Sequence, residues 1–435
     1  METANRRINP AVFLSVHMRV GLVYENREPF FAIYAPIMTI YPIQPAARKT
    51  QSAGFQALPP LSLYIHIPWC VRKCPYCDFN SHEAHGVFPE QEYVAALIRD
   101  LELALPQIWG RKVYSVFFGG GTPSLLSGAG IAEILRNVRM LLPLDLGAEI
   151  TLEANPGTVE AGRFAAYRDA GVNRLSLGIQ SFSDVHLQAL GRIHSADEAR
   201  RAIDMAQQHF DNINLDLMYA LPQQTPEQAL QDMHTALSFA PQHLSCYHLT
   251  LEPNTLFHRA PPALPDEDAS SGMQQHIEEL LASGGYQHYE TSAFAQPQRR
   301  ARHNLNYWQF GDYLGIGAGA HSKLSFHDRV LRQMRHRQPQ AYLNAAAQGT
   351  PVQEEHEVSG ADLAFEFMMN ALRLSEGFDS ALFQERTGLP LLAVQRELIE
   401  AARRGLLMRD HRRIAPTQLG QRFLNDLLEI FLAKS

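Results

Sequence analysis

LSLYIHIPWCVRKCPYC, residues 61–77, sets a short apolar run directly against three closely spaced cysteines. The run LSLYIHI (61–67) reads as a strand. Cys70, Cys74 and Cys77 therefore fall in a loop at a strand's C-terminal end, where barrel active sites are built. Thiolates suit zinc or an iron–sulfur cluster. Structural zinc asks for four closed ligands, and the fourth cysteine, Cys246, lies far along the chain in SCYHL, where its alternation reads as plain core. Three thiolates on a four-iron cluster leave one iron open to a small molecule.

Outward from this stretch, apolar runs recur at 113–118, 149–153, 173–179, 213–219 and 243–249. Segments of helical period lie between them: Ile131, Ile134, Leu135, Val138, Leu141 and Leu142 follow the i, i+3, i+4, i+7 rule. Alternating strands and helices predict βαβ units on a parallel sheet. Six such units predict an α/β fold of the partial (β/α)6 barrel kind, spanning residues 59–295. Residues 296–359 read as a linker segment with two motifs of its own, HNLNYW (303–308) and GDYLGIGAGAHS (311–322). From about 360 to 435 three helices, a hairpin and a last helix predict a winged-helix-like module. Residues 1–58 lack sustained periodicity and end in a Pro, Gln and Ala-rich stretch. They read as a poorly ordered extension or a start called too early.

A chain of 435 residues with net charge −7 has no global attraction for nucleic acid or anionic membrane. The arginines of the C-terminal module read better as a solvated face than as a DNA-binding wing. With only 4 cysteines, three of them clustered, a secreted disulfide scaffold is excluded and a reducing compartment is implied. No apolar run reaches membrane-spanning length, so the expected location is the cytoplasm.

Polar groups punctuate the strand ends. GGGTPS (119–124) follows the second strand but lacks the phosphate-loop pattern. Glu153, Gln180 and Asp216 close or interrupt the third, fourth and fifth strands, and Arg192 follows the fourth. An acid in mid-strand is costly without a partner, so Asp216 needs a ligand group or a structural ion pair.

CxxxCxxC with an aromatic, Tyr76, between the last two cysteines resembles the radical S-adenosylmethionine (SAM) superfamily, whose barrel also has six βα units. Within it, YIHIPWC, GGGTPS, SLGIQSF and DLMYALP are similar to the coproporphyrinogen-oxidase-like family. The resemblance implies a 4Fe–4S cluster on Cys70, Cys74 and Cys77. It implies that Tyr64 packs near cluster and SAM, that Gly120, Gly121 and Thr122 form the glycine contact, and that Glu153, Gln180, Arg192 and Asp216 line the SAM site. The oxidases carry a further cysteine two residues after the third; here that position is Phe79. HNLNYW matches a motif of the family's haem chaperone branch. It implies haem at His303, Asn304, Tyr307 and Trp308, with the His303 imidazole as an iron ligand; His321 is a second candidate. The expected activity is haem transfer to acceptor proteins, with an electron donor as a further partner. Contact with membrane haem proteins and a homodimer are also expected. The alternative is oxidative decarboxylation of coproporphyrinogen III.

Overall fold

A computed structural model describes residues 54–84, 89–158 and 161–432. Twelve strands form its main sheet: β1 (Leu61–Ile67), β2 (Val113–Gly120), β3 (Leu144–Ala154), β4 (Arg174–Gln180), β5 (Ile213–Tyr219), β6 (His243–His248), β7 (Gln287–Glu290), β8 (Ala293–Ala295), β9 (Asp312–Ile316), β10 (His321–Ser325), β11 (Val330–Arg335) and β12 (Val352–Glu357). Their order is β12-β11-β10-β9-β1-β2-β3-β4-β5-β6-β8-β7. The seven strands from β9 to β6 in that order run parallel, and the flanking pairs are antiparallel. Helices Glu90–Ile108, Gly128–Leu141, Ala161–Ala170, Ala196–Gln207, Pro226–Ser238 and Glu267–Ser283 follow β1 to β6 in turn. The α/β barrel core of six βα units is thus the observed fold.

The strands' period of two sorts their side chains. Leu61, Leu63, Ile65 and Ile67 of β1 join Leu175, Leu177 and Ile179 of β4 and Ile213, Leu215 and Leu217 of β5 in one core with the helices. The alternate residues form a polar and aromatic interior. Ser62 Oγ meets Ser115 Oγ at 2.8 Å, Tyr64 packs with Phe117, and Asn214, Asp216, Ser176 and Ser245 are hydrogen-bonded together. Cys246 belongs to the outer set, its thiol donating to Met233 Sδ at 3.7 Å. Two helices start at capping boxes, Ser195 with Glu198 and Thr225 with Gln228. These satisfy donors that a helix N-terminus otherwise leaves bare.

Two boundaries differ from the sequence reading. The segment 296–359 is not a linker: it supplies β9 to β12, and β9 pairs in parallel with β1, Leu61 opposite Asp312. Its buried charges are matched. Lys323 Nζ lies 2.9 Å from Asp312 Oδ1, and Arg335 Nη2 lies 3.2 Å from Asp100 Oδ1. Of the expected N-terminal extension, residues 1–53 lie outside the described residues. Phe55, by contrast, is buried in the C-terminal core with Phe310, Phe367 and Leu427.

That C-terminal core holds helices Gly360–Ala371, Ser380–Thr387 and Gln395–Arg403, and a three-stranded sheet with the hairpin Leu407–Arg409 and Arg413–Pro416. It is the expected winged-helix-like arrangement.

Candidate functional site

The thiol loop leaves β1 through a brief parallel pairing of Trp69–Cys70 with His82–Glu83. Lys73 ties its two arms together, its Nζ donating to Phe79 O and Ser81 O at 3.2 Å each. Inside the loop the Cys77 N–H donates to Cys74 O at 3.2 Å. Cys70, Cys74 and Cys77 all border one cavity, together with Gly120, Gly121, Thr122, Glu153, Gln180, Arg192 and Asp216. Three thiols border this one cavity, and thiolates are the ligands that hold iron–sulfur clusters. Burial pushes the Cys77 thiol up to about 12 and raises Cys70, whose thiol hydrogen bonds with Thr122 and Ser81 oppose the shift. Coordination must therefore expel protons from these groups.

The glycine loop approaches as closely as a backbone can. The Gly121 N–H donates to Ile67 O and the Thr122 N–H to Trp69 O, both at 2.7 Å. A Cβ on Gly121 would lie 2.4 Å from Trp69 O, and Gly120 has φ +117°. At the end of β4, Gln180 takes φ +66° without being glycine. Such a conformation costs energy and clusters at ligand sites. Across the cavity a polar chain runs from Asn155 Nδ2 to Thr122 Oγ1 (3.1 Å), and Arg192 joins it, donating to Asn155 Oδ1, Gly178 O (2.9 Å) and Cys74 Sγ (3.6 Å).

Two acids face this space, and among the described residues neither forms an ion pair, though the Arg174 charge acts on both. Asp216 accepts from Ser176 Oγ at 2.8 Å and Asn214 Nδ2 at 2.9 Å, and burial raises its pKa. The structural ion pair weighed from the sequence is replaced by neutral donors. Burial holds Glu153 up at about 8, the Asp216 charge adding to the effect while a backbone hydrogen bond from Gly120 and the Arg174 charge oppose it. A ligand bringing an ammonium or hydroxyl would relieve both. The donor set fits a cluster on the thiols and SAM beside them.

Sequence reasoning passed over Asn155, which links the glycine loop to Arg192; its signal was its place two residues after Glu153 in LEANP. It also passed over Tyr247 and His248, which close the cavity at the end of β6. Tyr64 is not among the residues that line the cavity; it is buried beside it, within reach of the Glu153 charge, its OH meeting His66 Nδ1 at 3.0 Å.

The HNLNYW residues lie apart from the cavity. Helix Arg302–Trp308 plugs the barrel's N-terminal end, its first N–H groups donating to Glu149. The His303 ring stacks on Phe117 at 4.4 Å and meets Tyr307 at 4.8 Å. Asn304 Nδ2 reaches Tyr289 OH at 3.4 Å, and Arg373 covers the Trp308 ring at 4.4 Å. Burial, with the Arg174 charge adding to it, pushes His303 down to about 3, so its imidazole is neutral; its Nδ1 is buried with no hydrogen-bond partner. The neutral imidazole suits a haem iron; in this conformation its ring is packed against Phe117 and Tyr307, and none of the four side chains lines the cavity that holds the thiols. His321 opens β10, paired opposite Met334.

Residues 64–236 match the radical SAM superfamily, and residues 358–423 match the HemN C-terminal domain. The chain is 50% identical over 381 residues to heme chaperone HemW of Escherichia coli strain K12, covering 87% of this chain and 99% of that one. With heme chaperone HemW of Haemophilus influenzae it shares 48% over 383 residues, at 87% and 99% coverage. With the bovine (Bos taurus) mitochondrial radical S-adenosyl methionine domain-containing protein 1 it shares 35% over 389 residues, at 86% and 87%. Among solved structures, the Escherichia coli coproporphyrinogen III oxidase HemN superposes with a TM-score of 0.74 at 24% identity, covering 86% of this chain and 90% of that chain. That likeness is one of fold.

Proposed function

The chain belongs to the HemW family of the radical SAM superfamily, and from that premise we propose that it is a haem chaperone that also binds a 4Fe–4S cluster and SAM. The two relatives covered to 99% of their length are named heme chaperones. The observation that carries the cofactor part is the shared cavity, where three thiols, a glycine loop and two acids meet.

A cluster and SAM, when bound, supply one-electron chemistry. The chain's own residues do the rest. Cys70, Cys74 and Cys77 give one thiolate each. Gly120, Gly121 and Thr122 bring backbone within reach of an amino acid head. Glu153 and Asp216 accept from ammonium or hydroxyl groups. Arg192 holds Asn155 and Cys74 in place. Phe79 stands at the cavity wall where the oxidases have a thiol, which removes a polar group from the reacting space and argues against decarboxylase activity. The cytoplasm is the proposed location; among the described residues no helix is long and apolar enough to cross a membrane.

Haem enters the proposal through the family, with His303 as its iron ligand once helix Arg302–Trp308 has left the barrel floor. The test is a haem titration followed by transfer to an apo-acceptor. Wild type develops a shifted Soret band and passes haem on, and His303→Ala lacks the band. Anaerobic incubation with coproporphyrinogen III leaves that substrate unchanged. A wild type that binds no haem, or that yields protoporphyrinogen, would overturn the reading.

A further inference from the structure

A second hollow lies where the barrel meets the C-terminal module. Leu58, Pro60, Arg111, Lys112, Tyr114 and Arg386 line it; three of them are cations, and no acid lines it. Leu61 and Val113 open β1 and β2 beside it, so it sits at the barrel end that helix Arg302–Trp308 closes. The Arg111 side chain is only 10% exposed. Its Nη2 donates to Pro59 O at 2.6 Å and lies 2.8 Å from Asp312 Oδ2, but its Nη1 is buried with no hydrogen-bond partner. The Arg386 side chain, on helix Ser380–Thr387, makes no hydrogen bond or ion pair among the described residues, and its Nε is buried. Asp312 cannot serve it. Lys323 Nζ and Ser325 Oγ already donate to Oδ1, and the Ser325 N–H and Arg111 to Oδ2. The Asp312 charge still reaches Arg386, as does that of the exposed Glu385. A part-buried guanidinium short of partners is costly, and an anion with several oxygens relieves it.

The stretch that carries two of these cations, WGRKVY (109–114), also shows large aromatics to solvent. Trp109 is 81% exposed and Tyr114 43%. Exposed aromatic faces beside cations that lack partners fit a flat, apolar molecule bearing carboxylates. The hollow is also tied to the plug. Lys112 Nζ lies 3.0 Å from Asp145 Oδ2, and Asp145 Oδ1 accepts from the Gly147 N–H at 2.9 Å. Gly147 O accepts from Arg302 Nη1 at 2.6 Å, and Arg302 is the chain neighbour of His303.

We propose that this hollow is a carboxylate site that anchors the propionates of haem. Arg386 and Arg111 supply the donors, Lys112 adds charge, and Tyr114 meets the edge of the ring. The inference rests on the haem reading above: His303 holds the iron, and the cations at the same barrel end hold the acidic edge.

The test titrates the reconstituted full chain with haem and with haem dimethyl ester, whose carboxylates are capped, and follows the Soret band. Wild type binds haem about tenfold or more tighter than the ester. In Arg386→Gln the haem affinity falls to that of the ester, and Arg386→Lys keeps part of the preference. Arg404→Gln, elsewhere on the same module, keeps all of it. No preference in wild type, or an equal preference in Arg386→Gln, would overturn the proposal. Thermal unfolding with inorganic phosphate reads the hollow without haem: it raises the Tm of wild type and not of Arg386→Gln. That phosphate effect combined with equal haem and ester affinities would give the site to a free anion and overturn the propionate assignment. A wild type that shifts neither porphyrin's band yet shows the phosphate effect would sink the haem reading, while the hollow stands as an anion site.

Discussion

At the residue scale, the thiols and the two acids have separable signatures. Replacing any one of Cys70, Cys74 and Cys77 by alanine removes the brown iron–sulfur absorbance of anaerobically reconstituted protein. Cys246→Ala keeps it, because that thiol packs outside the barrel against Met233. Glu153 gives a pH test. Its carboxyl is held at about 8 in the folded chain and returns to an ordinary value on unfolding. Between those values the folded state binds more protons than the unfolded one, so this group lowers stability as pH rises, and its penalty is complete above about 8. Glu153→Gln therefore raises the Tm of ligand-free protein clearly at pH 9 and little at pH 5, by thermal denaturation at each pH. An equal effect at both would remove burial as the cause. These residues were legible because chemistry-bearing types stand out at strand ends. Asn155 was not, since an asparagine in a turn has a local explanation.

At the element scale, the six βα units were legible because a strand buried on both faces beside an amphipathic helix writes its period into local sequence. What was not legible is long-range pairing. β9 carries Asp312 and β10 carries Lys323, two charges that argue against a buried strand until each is seen to neutralise the other. Nothing near residue 312 announces a partner at Leu61. The packing of the plug helix was hidden for a similar reason: the burial of His303 and its aromatic neighbours depends on Phe117, far away in sequence. His303→Ala empties the space beneath Tyr64 and Phe117, and large-to-small changes of this kind cost about 2–4 kcal/mol. Chemical denaturation measures it, and His303→Phe restores most of the loss by keeping the stack. Stability equal to wild type in the alanine variant would contradict a packed plug.

At the scale of the whole molecule, the barrel and the C-terminal module are stitched together. Arg332 of β11 meets Glu366 of helix Gly360–Ala371 at 2.6 Å, and Phe55, ahead of the barrel, is buried in the module's core. Phe55→Ala should cost about 3 kcal/mol and destabilise both units, whereas a poorly ordered extension reaching residue 58 would make the change silent. This arrangement presents the thiol loop at one end of the barrel and seals the other with the plug. The account depends most on the corner of the cluster that three thiols leave open. Electron paramagnetic resonance of the reduced, reconstituted protein, recorded with and without SAM, reads that corner directly. A spectrum that changes on adding SAM, and ceases to change in Gly121→Ala, is the predicted result. A four-iron signal that is identical with and without SAM would contradict it.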